Sequence, residues 1–144
     1  MKKYAGNRGE GAASGGAITE AGRTQIFEID ITSAANADVE VIATITDQPV
    51  LIKTIVLSAN SKITTDLTSA SIAGGAAYAV EFISAALGVL ASIGEQNEQV
   101  ASTAPARFQA GAEISINLDG TGATAVDLTA TIEFESCVDG GYLV

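Results

Sequence analysis

Histidine and tryptophan are absent from this 144-residue chain, and cysteine and methionine occur once each. Without histidine the commonest general base and the commonest metal ligand are both missing, and no Ser–His–Asp or Cys–His arrangement can be built. Zinc sites draw on several Cys or His ligands, which the chain does not have. Cys137 has no second cysteine to pair with, so no intrachain disulfide supports the fold, and the chain suits a reducing compartment. Aromatic residues are only 5% of the chain, too few for a platform on which sugars or bases stack.

Positive charge is also scarce: 7 basic residues face 17 acidic ones, a formal net charge of −10. The total hides a split. Residues 1–24 carry Lys2, Lys3, Arg8 and Arg23 against Glu10 and Glu20, a net +2, and the remainder carries −12. An acidic body repels phosphate, which argues against a nucleic-acid partner and against binding to anionic membranes. Met1 to Asn7 holds two lysines with no apolar run behind them, so no signal peptide is expected. The stretch from Ser69 to Gly94 has Glu81 as its sole charge, but its glycines and serines make it a poor membrane helix.

What is present organises the chain into two parts. Residues 1–24 are rich in Gly, Ala and Ser and show no hydrophobic periodicity, which predicts a flexible basic N-terminal arm. It is either an inert tail or a segment that orders on a partner; Lys2, Lys3, Tyr4, Arg8 and Arg23 are the candidate partner-binding residues. Residues 25–144 are expected to form one β-domain, a size that supports a self-sufficient core.

In that body, Phe27, Ile29 and Ile31 alternate with Glu28 and Asp30, the mark of a strand with one wet face. Val39 to Ile45 alternates in part, and Asp47-Gln48-Pro49 predicts a turn. Val50 to Leu57 is a nearly continuous β-branched run, read as a central strand buried on both faces. A short strand is expected over Ile63–Thr68, and another through Tyr78, Val80 and Phe82; Ala85 to Ile93 is the one segment with some helical character. A short extended piece is expected around Phe108, between Pro105 and Gly111. The clearest signal lies last. Ile114, Ile116 and Leu118 form one strand, Asp119-Gly120-Thr121-Gly122 predicts a tight hairpin reversal, and Val126, Leu128, Ala130, Ile132 and Phe134 alternate with polar residues to Glu135. Strands spaced by turns in this way predict an all-β fold: a single jelly-roll-like β-sandwich with an extended N-terminal arm.

Candidate chemistry is thin. Glu28, Asp30, Glu40, Asp127, Glu133 and Glu135 fall on the polar positions of amphipathic strands, where solvation alone explains them. Gly120-Thr121-Gly122 lacks the lysine of a phosphate loop. Asp119, Asp127 and Asp139 lack the spacing of a dedicated calcium loop. Cys137 reads as a small apolar residue more than as a reactive thiol. Near the end, Tyr142 and Leu143 are candidate docking residues, either onto their own domain or onto a neighbouring subunit. No catalytic residue, metal ligand or cofactor is expected.

The run Val50-Leu51-Ile52-Lys53-Thr54-Ile55-Val56-Leu57, the segment Gly111 to Leu118, the long strand to Glu135 and the closing Cys137-Val138-Asp139-Gly140-Gly141-Tyr142 resemble the small decoration, or cement, proteins of tailed-bacteriophage heads. The resemblance implies a non-enzymatic virion protein, made in the host cytoplasm, on the outer face of the capsid. It also implies the major capsid protein as partner and self-association as a homotrimer, or else a dimer. Another virion β-protein (a head-fibre base or tail component) and a carbohydrate-binding sandwich are the alternative readings. An arm lying in grooves between capsid subunits would add contact area without enlarging the fold.

Overall fold

A computed structural model describes residues 19–33, 39–60, 67–76, 79–86, 99–101, 105–120 and 125–144. Among them run ten strands: β1 Thr24–Ile31, β2 Glu40–Thr46, β3 Val50–Ala59, β4 Leu67–Gly74, β5 Val80–Ala86, β6 Gln99–Ala101, β7 Ala106–Phe108, β8 Glu113–Gly120, β9 Leu128–Ser136 and β10 Tyr142–Leu143. They form two antiparallel sheets packed as a sandwich. The first has the order β1-β9-β3-β6, with β7 also on β3; the second has the order β10-β2-β8-β4-β5. The pairing is nested, β1 with β9, β2 with β8, β3 with β6 and β7, β4 with β5. The chain is therefore one long antiparallel hairpin rolled up, closed by the β3–β9 and β4–β8 seams. That is the jelly-roll order.

Period-two alternation decides which residues enter the core. In β9 every second residue from Leu128 to Ser136 is buried and the others are half-buried. Ile132 stands opposite Phe27 on one side and Ile55 on the other. Ile114, Ile116 and Ile72 answer from the second sheet. The aromatics Phe82 of β5 and Phe108 of β7 meet edge-to-face at 5.9 Å between centroids, tying the two sheets together.

The structure departs from the sequence reading at several strands. The hairpin expected at Asp119–Gly122 does not form: Asp119 and Gly120 end β8, and β8 and β9 lie in opposite sheets, so the connection crosses the sandwich, with 121–124 outside the described residues. β3 is central, but Leu51, Lys53, Thr54, Val56 and Ser58 are only half-buried, because no further layer among the described residues covers that side of the first sheet. A bulge at Lys53, between Ile52 and Thr54, lets the lysine reach out to Thr24 and Glu135. Of the strand expected over Ile63–Thr68, residues 63–66 lie outside the described residues, and Leu67 and Thr68 open β4, which runs on to Gly74. In β5 the register shifts between Ile72 and Ala73 of its partner, so Phe82 and Ile83 are both buried while Val80 is exposed. Ala85 and Ala86 close β5, and 87–93, like Tyr78, lie outside the described residues. The turn expected at Asp47-Gln48-Pro49 is present, with Asp47 at φ +66°.

Candidate interaction surfaces

Each sheet turns one face to the core and one away from it, and the two outer faces differ in chemistry. On the first sheet, register places Thr24 beside Glu135, Ile26 beside Glu133, Glu28 beside Thr131 and Asp30 beside Thr129. The threonines donate to the acids: Thr131 Oγ1 to Glu28 at 3.3 Å and Thr129 Oγ1 to Asp30 at 2.9 Å. Lys53 lies 3.6 Å from Glu135, and no ion pair among the described residues involves Glu28, Asp30 or Glu133. This face is acidic, with Ile26, 60% exposed, and the half-buried Leu51 and Val56 as apolar members.

The outer face of the second sheet carries smaller side chains. One row reads Val41, Ser115, Ala73 and Glu81, the next Asn117, Ser71 and Ser84, and a third pairs Asp119 with Ser69. Small side chains fill its middle and acids stand at its margins. Val41 and Val39 are both exposed. Ser115 is buried at 2% exposure, and its Oγ has no hydrogen-bond partner.

The proposed chemical groups are dispersed. Asp119 accepts from Ser69 Oγ, Asp127 from Asn60 and Asp139 from the Ala21 amide, at three separate places. Among the described residues no group of three or more His, Cys, Asp or Glu is placed to hold a metal. Cys137 is half-buried, and its amide donates to the Pro49 carbonyl at 2.9 Å. An open cleft of about 580 Å³ is lined by Gly75, Ala76, Gly111 and Ala112, with Phe108, Gln109, Arg107 and Glu113. Its one aromatic is 7% exposed and offers no stacking surface.

Of the arm residues, Lys2, Lys3, Tyr4 and Arg8 lie outside the described residues. Arg23 is exposed and pairs with Glu20 at 3.1 Å, a contact within its own segment. From Thr19 onward the chain already lies on the body. The Thr19 carbonyl accepts from the Gly140 amide, Gly22 N donates to the Ser136 carbonyl, and Ala21 bridges Ser136 in parallel. This attachment leaves little trace in composition, because backbone groups make all of it but the Ala21–Asp139 contact. The closing Tyr142 and Leu143 pair with Thr46 and Ile45 of β2, with Leu143 buried and Tyr142 half-buried. Val144 and Thr44 exchange backbone hydrogen bonds in both directions.

Among the described residues the first sheet is bordered by β1 on one side and by the three-residue β6 and β7 on the other, the second by β5 and the two-residue β10, and β2 is uncovered from Glu40 to Ala43, beyond the reach of β10; β1 is the longest of these edges. An unpaired edge is a ready template for another strand.

No protein-family model matches the chain, and no curated protein matches it in sequence. Solved structures do. A chain from the acid-stable capsid of Helicobacter pylori bacteriophage KHP30 superposes with a TM-score of 0.56 at 11% identity, over 85% of this chain and 98% of that one. A chain from the capsid asymmetric unit of cyanophage Pam1 superposes with a TM-score of 0.55 at 9% identity, over 94% of each. At such identities the likeness is one of fold. In both cases it spans nearly the whole of two chains of about the same size.

Proposed function

We propose that the chain is a non-enzymatic virion protein, a capsid decoration or cement protein that lies on the outer surface of a phage head and braces neighbouring major capsid subunits. The observation that carries this reading is the near end-to-end match to two phage-capsid chains of similar size. Each is spanned by this one sandwich, with almost no length left over for another domain. Such a chain acts through contact surface, and the two outer faces divide that work. The second sheet presents the small-residue face that suits the shell. The first presents acid to solvent, and the body's net −12 keeps decorated particles apart. Self-association, as a homotrimer or else a dimer, multiplies individually weak contacts through avidity.

The test is co-sedimentation of the purified chain with shells of its cognate major capsid protein. Saturable binding and a raised shell melting temperature are expected. Ser71→Arg and Ser84→Arg place charge and bulk on the second sheet and are expected to reduce occupancy while the domain's own melting temperature holds. Absence of the chain from the shell pellet at saturating concentration would overturn the reading.

A further inference from the structure

We propose that the open edge of β1 is completed by the N-terminal arm of a second copy of this chain, residues 1–6 pairing antiparallel with Thr24–Ile29 so that Tyr4 stands opposite Ile26 and Lys2 opposite Glu28. The edge has the properties of an acceptor. All eight residues of β1 pair with β9 without a bulge, and it holds no Lys or Pro; its two charges, Glu28 and Asp30, are both acidic, which disfavours an acidic strand beside it and leaves a basic one acceptable. Phe27 and Ile29 occupy core-facing positions opposite Ile132 and Ala130, yet they stay half-buried because nothing flanks them on the free side among the described residues. One more strand would cover them.

The occupant follows from charge, parity and reach. A symmetric β1–β1 pairing would gather Glu28 and Asp30 of both copies along one seam with no cation among them. The arm brings cations. Its even-numbered residues Lys2 and Tyr4 would share the outer face with Ile26, Glu28 and Asp30, placing a ring on the exposed isoleucine and an ammonium beside two carboxylates. Lys3 would fall opposite Phe27, where its aliphatic stem packs on the half-buried ring. Residues 7–18 then form the link to the body, enough to span about 40 Å when extended.

The route back to the same molecule's edge is unfavourable. The chain ahead of β1 is fastened on the side away from the free edge, to Ser136 at the end of β9 and to Asp139 and Gly140 in the turn after it, and Gly22 at φ +74° turns it into β1 from there. The described chain thus begins at Thr19 on the β9 side of β1, away from the free edge, and a neighbour's edge is the acceptor we propose for the arm.

The experiment uses the full chain with Cys137→Ala. Protein carrying Tyr4→Cys is mixed with protein carrying Ile26→Cys under mild oxidation, and sedimentation velocity is run on the cysteine-free parent with Lys2→Glu, with Glu28→Lys, and with both. Expected are a disulfide-linked dimer near twice the 14.5 kDa of one chain in the mixture, loss of the oligomer in each single charge variant, and its recovery in the double variant. A link formed only within one chain of a Tyr4→Cys, Ile26→Cys double variant would overturn the proposal, as would no link at all or an oligomer indifferent to Lys2→Glu. The inference stands apart from shell attachment: a chain that links arm to edge yet fails to co-sediment with shells would refute the proposed function alone.

Discussion

The Ser136 hydroxyl accepts a hydrogen bond from the Gly141 amide at 2.8 Å and donates one to the Val138 carbonyl, closing the turn that carries the chain from β9 to β10. Ser136 is fully buried, and its backbone carbonyl also holds Gly22. One residue thus fastens the chain leading into β1 and the turn leading into β10. Ser136→Ala is expected to lower stability by about 1–3 kcal/mol, since it leaves a buried amide without its acceptor. Gly141→Ala should cost more. An added Cβ would lie 2.5 Å from Ser136 Oγ and 2.9 Å from the Gln48 carbonyl, and the latter cannot swing aside. Urea denaturation of both variants checks this; midpoints equal to the parent's would refute the role given to the turn.

Gly74 makes a second close approach. A Cβ there would sit 2.9 Å from Phe108 Cζ and 3.2 Å from Phe82 Cε2, inside the aromatic pair that joins the sheets. Gly74→Ala is expected to destabilise by about 1–3 kcal/mol through overpacking. Combining it with Phe108→Leu should recover part of that loss, so a strictly additive double variant would count against the contact.

Ser115 predicts a gain. Its buried hydroxyl has no partner, so Ser115→Ala removes a desolvated polar group without breaking a bond. Stability is expected to hold or to rise by up to about 1 kcal/mol. A clear fall in the thermal midpoint would mean that the hydroxyl is satisfied in solution.

The first sheet separates core from charge along a single strand. Ile132→Ala, at 0% exposure between Phe27 and Ile55, is expected to cost about 2–5 kcal/mol. Lys53→Met breaks the ion pair with Glu135 on the outer face and should change stability by no more than about 1 kcal/mol. Comparable losses in the two variants would contradict the division between faces.

Much of this was legible in advance because β-strands advertise themselves by period two. Leu128, Ala130, Ile132 and Phe134 entered the core as their spacing implied. In β5 the same rule misplaced residues: Val80 and Phe82 share a parity, yet the register shift against β4 exposes one and buries Ile83 beside the other. The difference between the outer faces was half visible. Acids on β1 and β9 could be read from the alternation, but the serine rows of the second sheet assemble from β4, β5 and β8, whose adjacency no local pattern states.

By itself, then, the sequence determined that this is an all-β, acidic chain without the residues for histidine chemistry or a disulfide. Those properties follow from composition and from a periodicity that each strand carries alone. Tertiary structure decided the strand order, the attachment of Thr19–Gly22 to the β9–β10 turn, and which edges remain open. These depend on backbone hydrogen bonds between segments far apart in the chain, and an amide or a carbonyl is the same whichever side chain it bears.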